Sequence, residues 1–187
     1  MTDLVQRSFT AEFDVRRTRR LIEGLAVPFD HPQLVSDDGR TTYTESWDRA
    51  AFNDQLRHGN NIGRVRFTYD HLDGLTNWLG KAVDLVAEPD GLHGVWRVDD
   101  TETGDVALYK AGSGQLTGLS VGARPDESVT RGDVVARVRA WLYHVSLVED
   151  PAFDLAQVAA VRKKQTPIEP SPWIARAAEL KAKRPQG

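Results

Sequence analysis

Apolar and polar residues alternate with a period of two along much of the stretch from Phe13 to Val148, and that rhythm predicts β-strands. Phe13-Asp-Val-Arg-Arg-Thr-Arg-Arg-Leu-Ile-Glu-Gly-Leu-Ala-Val reads as strand, turn, strand. Val65-Arg-Phe-Thr-Tyr alternates. Leu79-Gly-Lys-Ala-Val-Asp-Leu-Val-Ala-Glu is stopped by Pro89-Asp-Gly, which is turn chemistry, and Gly91-Leu-His-Gly-Val-Trp-Arg-Val returns as the second arm of a hairpin. Leu119-Ser-Val-Gly-Ala-Arg, Val134-Val-Ala-Arg-Val-Arg-Ala-Trp-Leu and Tyr143-His-Val-Ser-Leu-Val bring the set to about seven strands. Helical spacing interrupts them. Asp48 to Arg57 places Phe52 and Leu56 on one face, Thr103 to Ala111 is ended by Gly112, and Pro151-Ala-Phe-Asp-Leu-Ala-Gln-Val is a weaker third. Many strands, few helices and no βαβ alternation predict a mainly β domain with flanking helices (α+β), built as a closed or nearly closed antiparallel barrel.

Composition narrows the chemistry. The chain has 187 residues and no cysteine, which excludes a thiol nucleophile, a thiolate zinc site, an iron–sulfur cluster and disulfides. Its net charge is −3, unlike a generic nucleic-acid binder. No apolar run approaches the ~20 residues that span a bilayer, and the start lacks an apolar signal region. The expected setting is a cytoplasm or a compartment assembled there.

The charge is uneven. Residues 162–187 hold seven basic and two acidic side chains, so this segment carries +5 and residues 1–161 carry −8. Pro167, Pro170 and Pro172 mark a linker, and Trp173 onward reads as a short helix with Ser171 at its cap. The expected division is a domain at 1–163 and a basic tail at 164–187.

Five histidines are available: His31, His58, His71, His93 and His144. His71 follows a strand, in Tyr69-Asp-His-Leu-Asp-Gly, where functional groups concentrate. His144 lies inside an apolar strand; if Tyr143, Val145 and Leu147 face one side, it shares the other with Leu142, Ser146 and Val148 and is buried with a hydrogen-bond partner. Ser120 lies in Gly118-Leu-Ser-Val-Gly, which matches the G-x-S-x-G elbow literally. The elbow needs strand, sharp turn and helix, and Val121-Gly-Ala-Arg-Pro cannot start a helix, so an α/β-hydrolase is rejected. The serine remains a candidate nucleophile with His71 as base and His144 or a carboxylate as the group that orients it. Backbone N–H groups near Val121 and Gly122 are candidate oxyanion donors, with Arg124 as added positive charge. A metal hydrolase using Asp70, His71, His144 and Asp150 is a weak alternative, since no ligand spacing supports it. The five tryptophans (Trp47, Trp78, Trp96, Trp141, Trp173) are expected as core or rim packing, and Arg16, Arg17, Arg19 and Arg20 as a solvated hairpin.

Ile22-Glu-Gly-Leu-Ala-Val-Pro-Phe-Asp, Tyr43-Thr-Glu followed by Ala51-Phe, Asp70-His71, Leu79-Gly, Asp90-Gly-Leu, Gly118-Leu-Ser-Val-Gly, and Val145-Ser-Leu-Val with Pro151-Ala occur in this order. From about Leu21 to Ala152 the chain thus resembles the prohead maturation proteases of tailed bacteriophages, which are similar in fold to the herpesvirus assemblins. The resemblance implies a serine endopeptidase held inside the immature capsid in the host cytoplasm. Its substrates would be the scaffold or the scaffolding segment of the major capsid protein, and often itself. It implies no cofactor or metal, no nucleic acid as primary ligand, no membrane, and a dimer or higher homo-oligomer. It carries the base to His71 and the nucleophile to Ser120. Phage relatives commonly have an acid before Val-Ser-Leu-Val; this chain has His144, as in assemblins, and so a His–His pair. The alternative is a capsid or scaffold-interaction protein that keeps the fold without activity.

Overall fold

The computed structural model describes residues 5–10, 13–16, 20–36, 40–71 and 74–149. The strands are β1 (Val5–Thr10), β2 (Phe13–Arg16), β3 (Leu21–Pro28), β4 (Gln33–Ser36), β5 (Thr42–Trp47), β6 (Arg66–Tyr69), β7 (Trp78–Glu88), β8 (Gly91–Val98), β9 (Gly118–Arg131) and β10 (Val134–Val148). Two helices, α1 (Asn53–Arg57) and α2 (Glu102–Gly112), lie between them. The expected helix from Asp48 begins only at Asn53. The third expected helix, from Pro151, and the proline-rich linker with its basic tail lie outside the described residues.

The hydrogen-bonded order is β1-β9-β10-β6-β7-β8-β3-β2, with β5 also beside β10 and β4 beside β5. This corrects three expectations. Ten strands replace about seven, because short β1, β4 and β5 carry too little alternation to be read and the two C-terminal patterns are one strand, β10. The sheet is mixed, because β5 and β6 both run parallel to β10. It is also open: β3 passes within 8 Å of β1 and β9, yet among the described residues no ladder joins them to close a barrel.

One face of this curled sheet is apolar. Ile22, Phe67, Leu79, Trp96, Leu119, Val121, Val145 and Leu147 are buried together there. Trp96 stacks on Phe67 with ring centroids 5.5 Å apart, and Trp47 stacks on Phe52 at 5.4 Å. Trp78 is 41% exposed and Trp141 half-buried, while Trp173 is outside the described residues.

β10 is the spine. One edge pairs with β9 along its length; the other pairs with β5 over Val134–Arg137 and with β6 over His144–Leu147. Helix α1 fills the gap between these two ladders. The Ala140 N–H donates to the Ala51 carbonyl at 2.8 Å. The buried Gln55 carboxamide donates to the Leu142 carbonyl and accepts from the Leu142 N–H, both at 2.9 Å. Backbone groups buried without such partners would each cost about 1–3 kcal/mol.

Arg20 is not the solvated hairpin residue expected from its neighbours. Its guanidinium pairs with Asp105 of α2 at 2.5 Å and reaches the carbonyls of Val98 and Asp99, tying α2 to the end of β8. Thr101 caps α2 by accepting from the Gly104 N–H at 3.1 Å. Arg17, Arg19 and Asp150 lie outside the described residues.

Candidate active site

Three neighbouring strands supply the site. In the cross-strand register Ser120 of β9 faces Ser146 of β10, and Ser146 faces Thr68 of β6. One row along, Gly122 faces His144, and His144 faces Arg66. Side chains paired across a ladder share a face, so Ser120, Ser146, Thr68 and His144 all stand on the face opposite the main core.

A bulge decides how His144 points. Leu142 pairs with Ala123 and His144 with Gly122, which leaves Tyr143 as an extra residue in β10. The bulge shifts the alternation by one position. Leu142 therefore joins Val145 and Leu147 in the core, and Tyr143 is 38% exposed. The face expected from strict alternation, with Leu142 beside His144, is corrected in this way. The expectation that His144 is buried with a partner agrees with the structure.

Just past the end of β6, Asp70 and His71 both adopt left-handed backbone, with φ of 49° and 53°. The Asp70 N–H donates to the Leu147 carbonyl at 3.1 Å, and the His71 N–H donates to Ser146 Oγ at 3.2 Å. Two successive left-handed residues turn the chain sharply and lay the His71 ring back over the sheet. Such backbone costs about 1–3 kcal/mol per residue and persists where surrounding contacts hold it.

The ring then meets both other candidates. His71 Nε2 is hydrogen-bonded to Ser120 Oγ. His71 Nδ1 lies 2.9 Å from His144 Nε2 and 3.3 Å from Ser146 Oγ. The two imidazoles meet edge to face, with centroids 5.2 Å apart and planes at 67°. Ser146 Oγ is 2.7 Å from Thr68 Oγ1. Ser146 Oγ thus touches the His71 backbone N–H, the His71 ring and the Thr68 hydroxyl. Ser120, Ser146, Thr68 and His144 are buried, and His71 is half-buried.

Burial pushes the His71 pKa below its ordinary 6.5, and the neighbouring Asp70 carboxylate opposes that shift by favouring the charged ring. The imidazole is therefore neutral at pH 7 and has a lone pair to accept a proton.

Gly122 is required for the second ring. A Cβ at that position would lie 2.2 Å from His144 Cε1 and 2.5 Å from Nε2. The imidazole of His144 rests directly on the Gly122 backbone.

The remaining sequence candidates are placed differently. Val121 and Gly122 lie mid-strand, with β9 laddered to β1 on one side and β10 on the other. Their N–H groups lie along the sheet, whereas the Ser120 side chain stands off it. Arg124 lies over the Tyr143 ring at 5.7 Å and donates to Asp126 at 3.1 Å. His93 bonds to Asp90 at 3.0 Å, at the β7–β8 turn. Among the described residues no three His, Asp or Glu side chains are grouped to hold a metal ion, and no helix is long and apolar enough to cross a membrane.

Gln55, Thr68 and Ser146 were missed in the sequence. Ser146 and Thr68 carry a faint signal, polar residues at alternate positions of apolar strands. Gln55 carries none.

Among curated proteins none matches the chain. A solved structure similar to it is that of the capsid assembly protease of bacteriophage T4. The TM-score is 0.59 at 12% identity, over 80% of this chain and 98% of that one, which is a likeness of fold. A family model described as caudovirus prohead serine protease matches residues 9–170. That span takes in β3 to β10 with the loop that presents His71, and on it the chain belongs to the caudovirus prohead serine proteases, a family of capsid-maturation enzymes.

Proposed function

We propose that this protein is an endopeptidase in which Ser120 is the nucleophile, His71 the general base and His144 the group that orients His71. The observation that carries the reading is the unbroken contact chain from Ser120 Oγ through both nitrogens of His71 to His144 Nε2. A serine hydroxyl is a poor nucleophile unless a base takes its proton as it attacks. Neutral His71 Nε2 accepts that proton. His71 Nδ1 must then carry the other ring proton, which it donates to His144 Nε2 and, more weakly, to Ser146 Oγ. After attack the imidazolium returns its proton to the leaving amine.

A neutral second imidazole offers a lone pair where a carboxylate would offer a full charge, so the imidazolium gains less stabilisation and turnover is slow. A protease needed once per capsid tolerates this. The proposed substrates are the scaffold or the scaffolding segment of the major capsid protein within the procapsid, and the enzyme's own basic tail.

Two measurements test the reading. A fluorophosphonate should label the protein at Ser120, and Ser120→Ala should abolish labelling and lower cleavage of co-expressed capsid protein by about 10⁴-fold or more. Intact-mass analysis should show a trimmed C-terminus in the wild-type protein and a full-length chain in Ser120→Ala. Wild-type protein that neither labels nor cleaves would leave only an architectural role.

A further inference from the structure

The row of the sheet that contains His144 continues outward as three cations. His144 of β10 pairs with Arg66 of β6, Arg66 with Lys81 of β7, and Lys81 with Arg97 of β8. Cross-strand partners share a face, so all three project on the side of the sheet that holds the reaction centre. Lys81 and Arg97 are exposed and Arg66 is half-buried. Among the described residues none of the three has a carboxylate partner; the Arg66 guanidinium instead lies 5.3 Å from the centre of the Trp78 ring, which is itself 41% exposed.

Like charges set directly opposite on adjacent strands destabilise a sheet. Several arginines elsewhere are paired: Arg49 with Asp30, Arg124 with Asp126, Arg139 with Glu127. The row also runs against the general charge, since residues 1–161 carry −8. At about 4.8 Å per strand, its cations lie about 5, 10 and 14 Å from the His144 position. An extended polypeptide rising about 3.3 Å per residue crosses that distance in about four residues, with alternate side chains turned to the sheet.

We infer that Arg66, Lys81 and Arg97, with Trp78 at their margin, form a docking row for an acidic extended segment of the polypeptide substrate, a few residues from the bond to be cut. The inference rests on the reading of Ser120 and His71 as the reaction centre. A peptide fits better than a nucleic acid because three cations suffice for a few carboxylates, whereas the strongly negative remainder of the domain repels a long polyanion.

The test measures binding without cleavage, in the Ser120→Ala background. Fluorescein-labelled octapeptides of repeating Glu-Ser, Gln-Ser and Lys-Ser, and a twelve-nucleotide oligothymidylate, are compared by fluorescence anisotropy at low salt. The acidic peptide should bind about tenfold more tightly than the Gln-Ser peptide, with the difference shrinking as salt rises. Adding Lys81→Glu and Arg97→Glu should abolish that preference and turn it toward the Lys-Ser peptide. Lys81→Gln with Arg97→Gln should give an intermediate result and serves if the charge reversal fails to fold. Equal binding of acidic and neutral peptides, an acidic preference that survives the substitutions, or tighter binding of the oligonucleotide would each overturn the inference. With Ser120 restored, the row variants should react with fluorophosphonate at the wild-type rate. No labelling of the wild-type protein would remove the protease reading while the peptide comparison still decides what the row binds.

Discussion

The His144 imidazole lies on a bare backbone, and that contact is as necessary to the site as any of its hydrogen bonds. Gly122→Ala inserts a methyl group 2.2 Å from a ring atom, so the ring must leave its bond to His71. The fluorophosphonate labelling rate of Gly122→Ala should then fall about 10²-fold, to that of His144→Ala, and the double variant should be no slower than either. Additive losses would show that the two positions act separately. Asp70 acts on the same histidine through charge. Burial lowers the His71 pKa and Asp70 raises it, so Asp70→Asn removes the opposing effect and lowers the pKa further. The reactive form is the neutral ring, so wild-type labelling should lose rate only as pH falls below 6.5, and in Asp70→Asn that loss should begin at still lower pH. Asparagine tolerates left-handed backbone, which makes this variant a clean test of charge. A limb displaced to higher pH would contradict the assignment. Each of the three side chains that meet here stood out in the sequence for its own reason: Ser120 between glycines in Gly118-Leu-Ser-Val-Gly, His71 just past a strand, and His144 as a polar residue inside an apolar strand. The role of Gly122 did not, since a glycine's meaning depends on what rests upon it across the sheet.

Strands and helices explain why that geometry holds. β10 has a strand on its second edge at either end, and between them the Gln55 carboxamide substitutes for one. Gln55→Leu keeps the apolar bulk and strands the Leu142 N–H and carbonyl. Stability should fall by about 2–5 kcal/mol, read as a lower midpoint of chemical denaturation with an unchanged slope. Labelling at Ser120 should slow as well, because Leu142 leads into the bulge that aims His144. Normal stability in this variant would mean that water serves Leu142 equally well. The β7–β8 hairpin, β3 and α2 were legible from alternation, turn residues and helical spacing ended by a glycine. The bulge at Tyr143 was not, because an extra residue leaves the apolar pattern of β10 looking continuous while reversing its phase. The parallel pairing of β5 and β6 with β10 was equally hidden, since period-two patterns carry no direction.

The ladders and the core of the described protein lie between Val5 and Glu149. We expect the domain to fold without its basic tail. A chain ending at residue 163 should melt within about 4 °C of the full-length protein, the shift that a change of about 1 kcal/mol gives in a domain of this size, and should label at the same rate. A chain that fails to fold would extend the domain into the tail. Belonging to β at large was readable from the sequence, whereas closure was not, because a barrel and an open curled sheet bury their strands in the same alternation. His71 lies 49 residues from Ser120 and 73 from His144, and their strands meet only through β10, the last of the described strands to leave the ribosome. On the proposed reading, cutting power arrives all at once and late: until β10 is threaded between β9 and β6, the Ser120 hydroxyl has no His71 ring beside it.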